Sequence, residues 1–470
     1  MKAAILVLAF GLPMTPSLRP RWTGGAWRRV RQLTSRVALS VASVVALGSC
    51  STGDGAEQDC SVSGRNRFVY QLMRDYYLWA DRTPVFDPTE LESPQAVLEA
   101  MAYRTVDRWS GISPALQRQQ LYEEGKYLGI GVQMMGDREG KLRVAMVHAD
   151  SPAGRADLRR GMIIDAINDV PIAQIDEENL WGSIWGPEEP GVEVQMLVSE
   201  QTGAQREVLL EKGWVKIATV NDTKVLERGD RTIGYLMFTS FLETSVAELR
   251  DAFAEFKQAD IDELVLDLRY NGGGLLSTAA VLGSLIAGPA HAEGVLTQLT
   301  YNHRHSDRNG ELRMPPEEAA VSIDRLFVLT GPGTASASEL VINGLRPYLP
   351  VSIIGLRTHG KPVGSNSWTY CGEAISPITF QLVNAEGEGD YFGGMRVDCP
   401  AADDLQDALG TPEEARMAAA LALIEEGRCP LVHPGLYPPD AIERLEQGAP
   451  GLFRERGLIR RPYTDDLGYF

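Results

Sequence analysis

The stretch Leu326-Phe327-Val328-Leu329-Thr330-Gly331-Pro332-Gly333-Thr334-Ala335-Ser336-Ala337-Ser338-Glu339-Leu340-Val341-Ile342 decides how this chain is read. A short apolar run meets a glycine turn, and small residues then open a second apolar run. That order predicts strand, tight turn and helix. Ser336 would stand at the helix N-terminus, where free N–H groups can stabilise an oxyanion. A serine nucleophile also needs a base. Lys361 lies 25 residues further on, in His359-Gly360-Lys361-Pro362. A buried lysine can serve, because desolvation disfavours its charged form. The bland alternatives are specific. Ser336-Ala337-Ser338-Glu339 is also a capping box, and a lone lysine is ordinarily a surface residue.

Working outward, Asp267-Leu268-Arg269-Tyr270-Asn271-Gly272-Gly273-Gly274 ends another apolar strand. Consecutive glycines let backbone N–H groups approach a ligand closely. Alone this is a phosphate loop or a flexible turn; beside the serine segment it fits half of an oxyanion hole. Strands are expected at 233–238, 263–269, 325–329 and 351–354. An amphipathic helix is expected over 244–259, with Val246, Leu249, Phe253 and Phe256 on one side. Strand–helix alternation of this kind means α/β with a mainly parallel sheet. Residues 292–321 read as a loop insertion, and the chain beyond Cys429 as an extended tail.

Two regions precede this core. Residues 64–118 read as helical, with an aromatic stripe taken as core and Ser93-Pro94 opening a second helix. Residues 125–213 change to short alternating strands. There Tyr127-Leu128-Gly129-Ile130-Gly131, then Ser151-Pro152-Ala153 with Leu158 and Gly161, resembles a PDZ domain. The resemblance implies that Leu128, Gly129, Ile130 and Gly131 form a loop capturing a peptide's C-terminal carboxylate, while the peptide adds a strand to the sheet edge. The alternative is a small β-domain with generic turns.

Composition narrows the setting. The net charge is −18. Residues 1–49 hold seven Lys and Arg and no acid. Removing those seven from the chain's 45 basic residues leaves 38 against 63 acidic ones, a balance of −25. Such a charge argues against nucleic-acid binding. Arg28, Arg29, Arg31 and Arg36 precede a short apolar core at 37–47, too short to span a membrane comfortably. Leu47-Gly48-Ser49-Cys50 resembles a bacterial lipobox. Lipidation of Cys50 would make the protein an envelope lipoprotein facing the periplasm, held at the outer membrane by its lipid alone. A plain signal peptide is the alternative. The segment before the basic region makes the signal unusually long, which also allows a downstream start. Cys60, Cys371, Cys399 and Cys429 remain, and an even number in an exported chain suggests disulfides. Three pairings are possible; Cys371–Cys399 with Cys60–Cys429 is the expected one. No Cys/His spacing suggests a metal, HExxH is absent, and no cofactor is expected.

Taken together, Asp-Leu-Arg-x-Asn-x-Gly-Gly at 267–274, the Ser-Ala-Ser-Glu segment, Lys361 and the upstream PDZ-like insert resemble the carboxyl-terminal processing, or tail-specific, serine peptidases. Tyr77-Leu78-Trp79 and Asp107-Arg108-Trp109-Ser110 look like the N-terminal domain of one branch. The resemblance spans roughly 60–430. It implies an α/β multidomain fold with a ClpP/crotonase-like protease core. The implied layout is signal 1–49, tether 50–63, helical domain 64–118, PDZ-like domain 125–213, protease core 218–430 and tail 431–470. Ser336 would be the nucleophile and Lys361 the general base. Ala337 and one of Gly272 and Gly273 would supply the oxyanion donors. The substrates would be proteins or peptides with exposed C-terminal tails. The family often places a glutamine four residues after the lysine; here Ser365 stands there, so Ser365 or Glu339 is left to orient the base. A Ser–His–Asp arrangement using His359 is the chemical rival. A tail-binding lipoprotein without catalysis and a purely structural envelope lipoprotein are the functional rivals.

Overall fold

The computed structural model describes residues 58–430, Arg138 excepted. The expected signal, Cys50 and the tail after 430 lie outside those residues. Helix α1 (Val62–Tyr76) starts at Ser61, whose hydroxyl accepts the Gly64 N–H, and α2 (Pro94–Met101) starts at Ser93 with Pro94 in its first turn. Their apolar faces meet in a cluster containing Val69, Met73, Tyr77, Val97 and Leu98, which also takes in Ile112, Val363 and Ile378. The helical region is therefore packed onto the core rather than standing apart. It continues into β1 (Gly111–Pro114) and α3 (Ala115–Tyr122). None of the described helices is long and apolar enough to cross a membrane.

A β-rich region follows. It comprises β2 (Lys126–Gly129), β3 (Val132–Gly136), β4 (Leu142–Val147), α4 (Pro152–Arg155), β5 (Ile163–Ile167), β6 (Val170–Pro171), α5 (Ile172–Glu177), β7 (Glu193–Ser199), β8 (Gln205–Glu211) and β9 (Gly213–Lys216). Five strands form a sheet in the order β3-β4-β5-β7-β8, with β6 paired to β5. Alternating burial along β7 and β8 puts Val194, Met196, Val208 and Leu210 into its core. The β2–β9 ribbon, with Leu128 opposite Trp214, joins this region to the rest.

The core is α/β, as expected. Strands β10 (Val220–Arg228) and β11 (Arg231–Phe238) form a hairpin, followed by α6 (Ser245–Ala259), β12 (Glu263–Asp267) and α7 (Leu276–Ala287). After β13 (Val295–Tyr301) and β14 (Gly310–Arg313) come β15 (Arg325–Thr330), α8 (Ala337–Leu345) and β16 (Val351–Gly355). The chain ends with β17 (Val363–Ser365), β18 (Trp368–Tyr370), β19 (Glu373–Ser376), β20 (Ile378–Val383), β21 (Cys399–Pro400) and α9 (Ala415–Glu426). The main sheet runs β10-β11-β12-β15-β16-β21, parallel from β11 onward. Its central strands are apolar on both faces because helices cover both, as parallel sheets require.

Two expectations fail. Residues 292–321 are not a loop insertion: β13 and β14 form a hairpin, and β13 pairs with β20 in a second sheet, β14-β13-β20-β17. The partner strand is some 80 residues away in sequence, so local pattern carries no sign of it. The expected disulfide pairing is also wrong. Cys60 bonds Cys371, tying the start of the helical region to the β18–β19 hairpin, and Cys399 bonds Cys429, tying β21 to the segment after α9. Sheet topology decides this: β21 ends the main sheet where α9 returns, while Cys371 sits in a different layer.

Candidate active site

The expected nucleophile segment hangs from β15. Its turn is closed by Thr334, whose N–H donates to Gly331 O at 2.9 Å and whose hydroxyl donates to Leu268 O at 2.8 Å. That second bond ties it to the loop after β12. Asn271 ties them again. Its backbone oxygen accepts the Ala335 N–H at 3.1 Å and the Ser338 hydroxyl at 2.9 Å, and its side chain donates to Phe238 O at 3.0 Å. Ser336 adopts φ 55° and ψ −115°. Such a conformation costs a non-glycine residue about 1–3 kcal/mol and persists only when the surroundings impose it. Ser336 stays half-exposed, while every residue of α8 behind it is buried.

The glycine loop packs directly on this turn. Gly273 has φ +104°, and a Cβ added there would lie 2.9 Å from both the Ala337 nitrogen and Ser336 Cβ. Only glycine permits that approach. The Gly273 N–H is already donated to Asn271 Oδ1 at 2.9 Å. Of the two expected glycine donors, half-exposed Gly272 is the one whose N–H has no partner among the described residues. Ala337 opens α8 one residue after Ser336.

The expected base segment arrives from β16. Lys361 is 6% exposed, far from the surface lysine of the bland reading. One carboxylate joins it to Ser336. Glu339, fully buried, accepts from the Ser336 N–H (3.0 Å), the Lys361 N–H (2.8 Å), the Gly360 N–H (2.7 Å) and the Thr358 hydroxyl (2.5 Å). Burial pushes this carboxyl above its ordinary range, against the pull of its four donors. The Glu339 half of the capping box is thus present and holds far more than a helix end. Ser365 ends β17 with its backbone paired to Ile378; Glu339, not Ser365, receives the N–H groups of the lysine segment. His359 is engaged elsewhere. Its Nε2 accepts the Trp109 indole N–H at 3.1 Å and therefore carries no proton.

Beneath the glycine loop lies a buried ion network that sequence reading missed. Arg269 makes a two-pronged bond to Glu414 at 2.6 and 2.8 Å and also holds Asp267 at 2.9 Å. Asp403 accepts from Tyr270 and pairs with Arg160, a residue of the β-rich region. Burial alone would raise the Asp403 carboxyl, but Arg160, Arg269 and Arg416 hold it well below the usual range. Asp403, Asp404 and Glu414 cluster closely, yet these arginines already neutralise them. Of the remaining expected residues, Leu128 and Gly129 lie on β2, and Ile130 and Gly131 form the turn into β3. There the Ile130 oxygen accepts the Ala153 N–H at 2.9 Å.

The described core and helical region match two family models: Peptidase family S41 over residues 232–388, and Peptidase S41 N-terminal domain over 64–111. The chain belongs to peptidase family S41. S41 membership makes it a serine-type protease. Among curated relatives, it is 23% identical over 377 residues to carboxyl-terminal-processing peptidase 3 of Arabidopsis thaliana, covering 76% of this chain and 70% of that one. It is 24% identical over 358 residues to the carboxy-terminal processing protease CtpA of Bacillus subtilis, covering 75% and 71%. A solved structure of a putative S41 protease from Bacteroides fragilis shares the fold, with a TM-score of 0.63 and 24% identity over 77% of this chain and 97% of that one.

Proposed function

We propose that this S41 peptidase is an exported endopeptidase that captures C-terminal tails of protein substrates on its PDZ-like domain and cleaves them with a Ser336–Lys361 dyad. The observation that carries the dyad is the single buried carboxylate of Glu339, which bonds the backbone of both residues. In this mechanism Lys361 takes the Ser336 proton as the hydroxyl attacks the scissile carbonyl. The tetrahedral oxyanion is held by the Ala337 and Gly272 N–H groups. Lys361 then protonates the leaving amine, and water hydrolyses the acyl-enzyme.

Tail capture is supported by β3, which is the edge strand of its sheet with one side unpaired among the described residues. It directly follows the Leu128–Gly131 turn, the order that strand addition and carboxylate capture need. The relatives named for carboxyl-terminal processing support the same reading. Arg160 joins the PDZ-like domain to Tyr270, two residues before Gly272, by a 2.7 Å bond. Gating of cleavage by tail binding is consistent with that link, and deletion of residues 125–213 should then raise basal cleavage. Export and lipidation at Cys50 rest on the lipobox-like sequence, and the two disulfides suit an oxidising compartment. Metabolic labelling with a fatty-acid analogue, wild type against Cys50→Ser, tests the anchor; equal labelling would remove it. Casein digestion tests the enzyme reading. Tight tail binding without any hydrolysis would favour a non-catalytic binding lipoprotein instead.

A further inference from the structure

The helical region contributes an arm, Asp107-Arg108-Trp109-Ser110, that the reading above leaves without a task. Asp107 is fully buried. One of its oxygens accepts the Trp109 and Ser110 N–H groups, both at 2.9 Å, and the other accepts the Tyr77 hydroxyl at 2.8 Å. Ser110 is fixed in turn, its hydroxyl accepting the Ile378 N–H of β20 at 2.9 Å. The arm is thus rigid at its base and bonded to the core. At its tip, two side chains reach one residue. Trp109 donates its indole N–H to His359 Nε2 at 3.1 Å, and Arg108 donates to the His359 backbone oxygen at 2.8 Å.

His359 is the residue through which the lysine segment is gripped from outside. Its own N–H donates to Thr334 O at 2.9 Å, in the nucleophile's turn. The next two N–H groups, of Gly360 and Lys361, go inward to Glu339. The segment therefore has an inner hold from α8 and an outer hold from the arm. A third side is closed by the chain after β20. A Cβ on Gly360 would sit 2.5 Å from Phe392 O, and the Met395 N–H donates to the Thr358 hydroxyl at 2.8 Å. Trp109 and Arg108 add to these holds from a part of the chain that is distant in sequence.

We infer that Trp109, acting through His359, is a positioning residue for Lys361, so that docking of the N-terminal domain is part of the catalytic apparatus. The inference rests on Lys361 being the base, as proposed above. A misplacement of about 1 Å can cost a reaction about 100-fold, so the arm's effect should fall on turnover rather than on substrate capture.

The test uses the full chain with casein as substrate. Trp109→Phe keeps the ring and removes the donor; it should lower kcat by about 10-fold with KM within about twofold. His359→Leu removes the acceptor and should do the same. His359→Gln places an amide oxygen where Nε2 stood and should recover activity to within about threefold. The double variant Trp109→Phe/His359→Leu should be no worse than either single one, because both break one contact. Unchanged kcat in Trp109→Phe, or losses that multiply in the double variant, would overturn the inference. A separate arm does not depend on chemistry. In a Ser336→Ala background, amide exchange at Gly360 and Lys361 should speed up when Trp109→Phe is added, and unchanged exchange there overturns the positioning role. Faster exchange with a fully active Lys361→Ala enzyme would keep the latch and remove the dyad.

Discussion

Ser336 and Lys361 are held in contrasting ways. The turn around Ser336 is fixed by neighbours within the main sheet. Thr334 and Asn271 bind it to the loop after β12, and Gly273 presses against it. The segment around Lys361 shares part of that frame through the His359 N–H on Thr334 O, and draws the rest from further away. It is fixed by Glu339 on α8, by Trp109 and Arg108 from a region some 250 residues earlier, and by Met395 through Thr358. The Ser336 side is therefore framed by a sheet and its loops, while the Lys361 side also draws on the helical region and on the chain after β20. Damage to the two sides should therefore look different.

The largest expected effects come from removing the reacting side chain on either side. Ser336→Ala and Lys361→Ala should each lower turnover of casein by about 10³-fold or more while leaving the circular dichroism spectrum and melting temperature nearly unchanged. Full activity in either removes the mechanism. Next comes a change confined to the nucleophile side. Gly273→Ala would put a methyl group against the Ala337 N–H, and kcat should fall by about 10²-fold or more, the scale of losing one oxyanion donor. Retention of activity would show that this N–H does not face the reacting carbonyl.

Glu339→Gln tests the joint between the two sides. An amide keeps one acceptor oxygen, while its NH₂ must face two of the four donors. A loss of about 10-fold to 100-fold in kcat is expected, with destabilisation of about 1–3 kcal/mol in urea unfolding. A wild-type kcat would make Glu339 purely a helix cap. The smallest catalytic effects belong to the foundations. The Asp403 and Glu414 carboxyls are both depressed on folding, so their contribution is fully present above their unfolded values of 3.8 and 4.5. It is lost as pH falls through the lower folded ones. Acid unfolding should therefore steepen below about pH 4, and Asp403→Asn should flatten it. Replacing both Cys60 and Cys371 by Ser should cost about 2–4 kcal/mol of stability yet leave kcat near wild type. A large kcat loss would mean the helical region needs its covalent tie to dock.

The same contrast explains what could be read from the sequence. The strand–turn–helix at 326–342 and the glycine loop are local patterns, and both stand where periodicity and glycine spacing put them. The main parallel sheet was legible for the same reason. Lys361 was found by spacing, and Glu339 was one of two candidates to orient it, but the other holders were not legible. Trp109 and His359 are 250 positions apart, and no local signal pairs them. Glu339 was visible as a cap, because the capping box is local, while its bonds to Gly360 and Thr358 are not. The β13–β20 pairing and the disulfide partners were missed on the same ground, since both are set by which strands become neighbours after folding.

The central claim is that Lys361 activates Ser336. Its most direct measurement is covalent labelling with a fluorophosphonate probe, wild type against Lys361→Ala, with the modified residue identified by mass spectrometry. The expected result is modification of Ser336 in the wild-type protein, with labelling at least about 100-fold slower in the variant. Labelling of another serine, or equal rates at Ser336 in both proteins, would contradict it.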